Sequence, residues 1–98
     1  MNSPAQPPFE IHPQGIGGFT AFECGNEVVA LPLLAVVRAS LRGTTQQEVV
    51  IEFPRFLARI GGTGLADVFS HFLTGRVRVM RRGQHGQCTI NSIEITET

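Results

Sequence analysis

The sequence predicts an α+β domain: an antiparallel, strongly bent sheet or open roll of about six to seven short strands, with one helix over about residues 64–74 packed on it. Three observations carry this expectation. Most apolar runs alternate with polar residues at the period of a strand. Leu65, Val68, Phe69, Phe72 and Leu73 fall instead at helical spacing and make one stripe. The strand-like runs also follow one another without intervening helices, which excludes a doubly wound parallel architecture.

Residues 1–18 contain Pro4, Pro7, Pro8 and Pro13 with three glycines, a composition that sustains neither a helix nor a central strand. They are read as a flexible or extended N-terminal arm, in which Phe9 and Ile11 could lie along an edge of the domain or on a neighbouring subunit. A single domain over 19–98 follows. FTAFEC and EVVAL, separated by Gly25-Asn26, predict a hairpin over about 19–31.

Residues 31–43 fit two patterns. As a helix they have Pro32 in the first turn, Leu33, Val37 and Leu41 four apart, and Gly43 as terminator. As a strand they place Leu33, Ala35, Val37, Ala39 and Leu41 on one face. The strand is favoured, because with EVVIEF after the polar GTTQQ turn it makes a hairpin of matched arms.

In EVVIEF, Val49, Ile51 and Phe53 share one face. Pro54 then interrupts hydrogen bonding and suggests a bend or edge before RFLARI resumes, with Phe56, Ala58 and Ile60 on one side. The helix is expected to start with Thr63 as N-cap and to stop at Gly75. RVRVMRR, residues 76–82, alternates with Val77 and Val79 one way and Arg76, Arg78, Met80 and Arg82 the other. A turn at 83–86 leads into a last strand whose apolar phase slips between Ile90 and Ile93, predicting a bulge near Asn91-Ser92.

The chemistry is sparse. A chain of 98 residues hides roughly 60 to 65% of its unfolded surface, which leaves little for a deep internal cavity. All eight basic residues are Arg, so there is no lysine for Schiff-base chemistry or a phosphate-binding P-loop. IGGTG, residues 60–64, sits between a strand and a helix as a phosphate cradle would. It lacks both the GxxxxGK[ST] and the GxGxxG fingerprints, and Asp67 in the first helical turn would repel an anion. A tight turn is the better reading.

Cys24 and Cys88 belong to no CxxC or Cys/His cluster, and His12, His71 and His85 have no carboxylate at ligand spacing, so neither a metal nor a cofactor is expected. Glu48 and Glu52, on one strand face about 13 Å apart, are too distant to share a proton. Cys88 with His85 is the one nearby nucleophile–base pair. Its thiol would need a further cationic neighbour to ionise.

Net charge is zero, yet residues 55–82 hold Arg55, Arg59, Arg76, Arg78, Arg81 and Arg82 against Asp67 alone. These six are the candidate contacts for an anion or a partner. The row on 76–82 could instead pair across a hairpin with Glu94 or Glu97. No aromatic residue interleaves with it as in base-stacking sheets. The expectation is a non-enzymatic interaction module that self-associates through strand edges or a sheet face, with a dimer favoured and a protein partner the other possibility. The alternative is a nucleic-acid or polyanion-binding domain using the Arg-rich strand face. With no basic n-region ahead of an apolar run and no span-length apolar stretch, a cytoplasmic protein away from membranes is expected.

Overall fold

The computed structural model describes residues 7–13 and 18–98. Nine strands in two sheets and one α-helix make a mixed α+β domain. The strands are β1 (Phe9–Ile11), β2 (Phe19–Cys24), β3 (Glu27–Pro32), β4 (Arg38–Arg42), β5 (Gln47–Glu52), β6 (Phe56–Thr63), β7 (Val77–Met80), β8 (Gly83–His85) and β9 (Cys88–Glu97), and helix α1 spans Ala66–Leu73. The order is β1-β7-β2-β3 in one sheet and β4-β5-β6-β9-β8 in the other.

The expected single bent sheet is therefore two sheets, and the strand count is higher. The five-stranded sheet is antiparallel throughout. The four-stranded sheet is mixed, because β7 runs parallel to β2, with Ala21 opposite Val79 and Phe22 opposite Met80. Phe9–Ile11 takes the outer place beside β7. Most of the arm expected over residues 1–18 lies outside the described residues.

The hairpin over 19–31 forms as the Gly25-Asn26 pair indicates, with Gly25 at φ 63°. Residues 31–43 are neither one strand nor one helix. Pro32 ends β3, a single 3-10 turn occupies Leu33–Ala35, and only Arg38–Arg42 pairs with β5. Two adjacent leucines after a proline cannot both face a core from one alternating strand, and the turn moves Leu34 outward. Pro54 does not bend a continuous strand. It lies in the β5–β6 turn, where the Phe53 N–H donates to the Phe56 carbonyl at 2.8 Å and the chain reverses.

Burial follows the alternation in β6 and, except for Val50, which is also buried on the opposite face, in β5. Val49, Ile51, Phe53, Ala58 and Ile60 are buried and meet Phe22 and Leu31 of the first sheet, Val77 and Met80 of β7, and Leu65, Val68 and Phe72 of the helical segment. A Cα radius of gyration of 12.7 Å over the described residues is that of one compact body of this length. Met80, placed by alternation with the arginines, is only 1% exposed: it pairs with Phe9 and Phe22, and the β1–β7 register skips Arg78, which breaks the alternation between Val77 and Met80.

The helix is shorter than expected. Thr63 is the last residue of β6, not the N-cap. Leu65 takes that position without a side-chain cap of its own, and its N–H donates to the Gln47 side-chain oxygen at 2.8 Å, so a residue of β5 fills the role that the Glu or Gln of a capping box would have within the helix. Leu73, assigned to the apolar stripe, is 60% exposed.

The IGGTG segment is no loop: Ile60 to Thr63 are strand residues paired with β9. A Cβ on Gly61 would lie 2.7 Å from the Ser92 Oγ, and one on Gly62 would overlap the Thr89 carbonyl. Gly61 faces Ser92 and Gly62 faces Ile90, leaving Asn91 as the extra residue of the bulge anticipated at Asn91-Ser92. Only Gly64, at φ 61°, makes the turn into the helix. The expected tight turn is thus confined to Gly64, and Gly61 and Gly62 are required by the close approach of β9.

Candidate interaction surface

The six arginines do not form one track. Arg78 and Arg81 both reach Glu10 of β1, Arg81 at 2.8 Å. Arg81 also bonds Glu23 of β2 at 3.2 Å and the Pro7 carbonyl at 3.0 Å. Arg59 lies 3.7 Å from Glu48 on the open face of the five-stranded sheet. Arg55 occupies the β5–β6 turn, Arg76 precedes β7, and Arg82 links the two sheets; all three are exposed and separated.

The expected pairing of this row with Glu94 or Glu97 is not formed, because β7 and β9 belong to different sheets. Glu94 stands opposite Arg59 instead. Glu10, the acidic partner, was not visible from sequence, since 68 residues separate it from Arg78.

Hydrogen bonds from Arg78 and then Arg81 hold the Glu10 carboxyl below its ordinary pKa. A lowered folded-state value means that this contribution to stability is present above the unfolded pKa, about 4.3, and is lost as pH falls through the folded value. Glu10→Gln should therefore flatten the acid side of the stability–pH curve below about pH 5, with little change in its shape near neutrality; melting curves taken from pH 3 to 7 test this. Arg78→Glu, which sets two carboxylates against each other, should lower the melting temperature, while the loss stays near 1 kcal/mol because the site is solvent-screened.

The Cys88–His85 pair is brought together across the β8–β9 hairpin, but burial and then the nearby Asp67 charge push the Cys88 thiol upward. It is the reverse of an activated nucleophile. Asp67 and His71 also prove to be a pair, one helical turn apart at 3.6 Å, with the His71 ring 5.7 Å from that of Phe9. A depression of about 490 Å³ lies here between Phe9, Asp67, His85 and Cys88. Its wall continues toward Pro7, beyond which residues 1–6 lie outside the description. Among the described residues no group of three or more His, Cys, Asp or Glu is placed to hold a metal ion, and no helix is long and apolar enough to cross a membrane.

The other prominent surface is apolar. Strands β3 and β4 are outer strands of different sheets, joined by the Leu33–Ala35 turn. Leu34 is 100% exposed, Val37 67% and Leu73 60%. They rim a groove of about 360 Å³ floored by Val36, Ala39 and Phe72. Val37 also borders a second hollow, of about 410 Å³, with Phe53, Phe56 and Leu57, and Leu31, Ala35 and Phe56 line a third of about 190 Å³. One end of the molecule is thus a continuous run of shallow apolar hollows beside an open strand edge.

The open face of the same sheet is polar, and its register makes it a grid. Its rows, from β4 through β5 and β6 to β9, run Arg38–Glu52–Leu57–Thr96, Ser40–Val50–Arg59–Glu94 and Arg42–Glu48–Gly61–Ser92. Each row sets one base beside one acid, Arg38 by Glu52, Arg59 by Glu94 and Arg42 by Glu48, so the face carries its own counter-charges. No family model, no curated protein and no solved structure matches this chain.

Proposed function

We propose that this chain is a small, non-enzymatic interaction module that associates with a second copy of itself through the apolar end formed by Leu33 to Val37 and Leu73. The observation that carries this reading is the grouping of three large, strongly exposed apolar side chains, Leu34, Val37 and Leu73, around one groove next to the outer strand of a sheet. Contiguous apolar patches on soluble domains mark interaction sites, and an open strand edge offers a row of unsatisfied backbone groups to the same partner. A two-fold dimer uses one such patch twice. The ion pairs of Arg59, Arg78 and Arg81 with acids of the same chain weigh against the polyanion-binding alternative, since those guanidinium groups are already partnered.

Sedimentation equilibrium over 1 to 200 µM, roughly the range in which modest interfaces act, tests the reading. A mass rising toward that of two chains, little affected between 50 and 500 mM salt, is expected. A constant monomer mass together with RNA or DNA binding that collapses with salt would replace this reading by the polyanion one.

A further inference from the structure

Resting on that self-association, we infer that the two copies join edge to edge along β4, antiparallel about a two-fold axis at Ala39, so that two five-stranded sheets become one of ten strands. Among the described residues four edges are available: β1 and β3 in the first sheet, β4 and β8 in the second. β8 is three residues long, Gly83–His85, and carries no apolar side chain. β1 is equally short. β3 ends at Pro32, which has no N–H to give, and its exposed Val28, at 64%, stands away from the groove. Of these edges β4 alone borders the groove, through Arg38 and Ala39, with Val37 just ahead of it.

The register follows from side-chain chemistry. A two-fold axis perpendicular to the sheet keeps both inner faces on one side, so it must pass through a residue and not between two. An axis at Ser40 would set Arg38 directly opposite Arg42 of the other copy, twice, placing like charges at cross-strand contact. An axis at Leu41 would push Val37 beyond the paired segment and leave its exposed surface uncovered. An axis at Ala39 sets Val37 opposite Leu41 and Arg38 opposite Ser40, and Arg38 keeps Glu52 of its own chain as its other neighbour.

Because both inner faces then share one side, the two α1 helices lie on the same face of the joined sheet, one on either side of the seam. Leu73 and Val37 of each copy border that seam, and Leu34 projects toward it from the turn that precedes β4. The three exposed apolar residues and the open edge are covered by one act of association.

Disulfide trapping reads the register. In a Cys24→Ser background, Ala39→Cys and Ser40→Cys are each incubated with oxidised glutathione, and the linked dimer is measured on non-reducing gels. Ala39→Cys is expected to trap several times more dimer than Ser40→Cys. Leu34→Glu and Leu73→Gln, at positions exposed enough to leave the melting temperature in place, should weaken self-association at least tenfold in sedimentation, whereas Val28→Glu on β3 should not. Trapping by Ser40→Cys with none by Ala39→Cys would overturn the register. Dimers dissolved by Val28→Glu and indifferent to Leu34→Glu would overturn the choice of edge while leaving self-association standing. A chain that stays monomeric at every concentration removes both.

Discussion

Gly62→Ala is expected to abolish the native fold at 37 °C, a larger effect than that of any surface substitution considered above. The clash is with backbone: a Cβ at this position would overlap the Thr89 carbonyl oxygen and crowd the Cα of Ile90, both in the strand hydrogen-bonded alongside. No rotamer change relieves it. The contact can open only if β6 and β9 separate at the Asn91 bulge, where Ile60 and Ile90, each at most 1% exposed, are anchored on either side. Overpacking of a well-filled site already costs about 1 to 3 kcal/mol when side chains can shift, and a domain this small has about 5 to 15 kcal/mol in all. Circular dichroism melts should show no cooperative transition, or one lowered by more than ten degrees. A Gly62→Ala protein that melts within two degrees of wild type would mean that β6 and β9 do not approach as described. Gly64→Ala should also be costly, because φ 61° and the overlap of a Cβ with the Gln87 carbonyl act together.

Phe72→Ala should cost roughly 3 to 5 kcal/mol, the range for emptying a buried aromatic position. Phe72 is 4% exposed in the core, where α1 faces β4 and β7. The sequence alone gives Phe69 the same weight, since both lie on the helical stripe. Phe69 is only half-buried at the border of the core, so Phe69→Ala should cost less than Phe72→Ala by at least 1 kcal/mol. Urea unfolding of the two variants side by side measures the difference, and equal losses would contradict the orientation given to the helix.

What could be read from residues alone was the local pattern. The alternation in EVVIEF and RFLARI placed Val49, Ile51, Ala58 and Ile60 inward; the Gly25-Asn26 pair placed a hairpin; and the broken phase between Ile90 and Ile93 placed a bulge at Asn91. These features depend on periods of two to four residues. What could not be read depends on which strands meet. Nothing near β7 indicates that Arg78 and Arg81 turn to Glu10, or that Met80 is covered by Phe9 and Phe22. The glycines of IGGTG suggested a tight turn, yet only Gly64 turns, and Gly61 and Gly62 lie in a strand. Their physical reason, the close approach of β9, comes from a strand lying some 30 residues further on.

The apolar end was partly legible. Leu33-Leu34 after Pro32 breaks any strict alternation, which hints that one leucine must leave the core. Leu73 lies at the border of the helical stripe, and only the helix's rotation against β4 decides that it faces outward. The six arginines drew attention by count. In three dimensions three of them are held by Glu10, Glu23 and Glu48.

The place of β7 between β1 and β2 sets the order in which this chain can be completed during synthesis. Ala21 pairs with Val79, and Phe9 with Met80, so the four-stranded sheet waits for a strand made more than 55 residues after β2 emerges. Until then the β2–β3 hairpin can form locally, but Phe22, fully enclosed in the finished protein, has no cover from Met80. Such long-range pairing raises contact order and slows folding, because the loop-closure entropy is lost before the contacts that repay it are made. A ribosome paused before Val77 would therefore hold a nascent chain with an open first sheet. Its apolar hairpin would stay uncovered on the β7 side until that strand takes its place between β1 and β2.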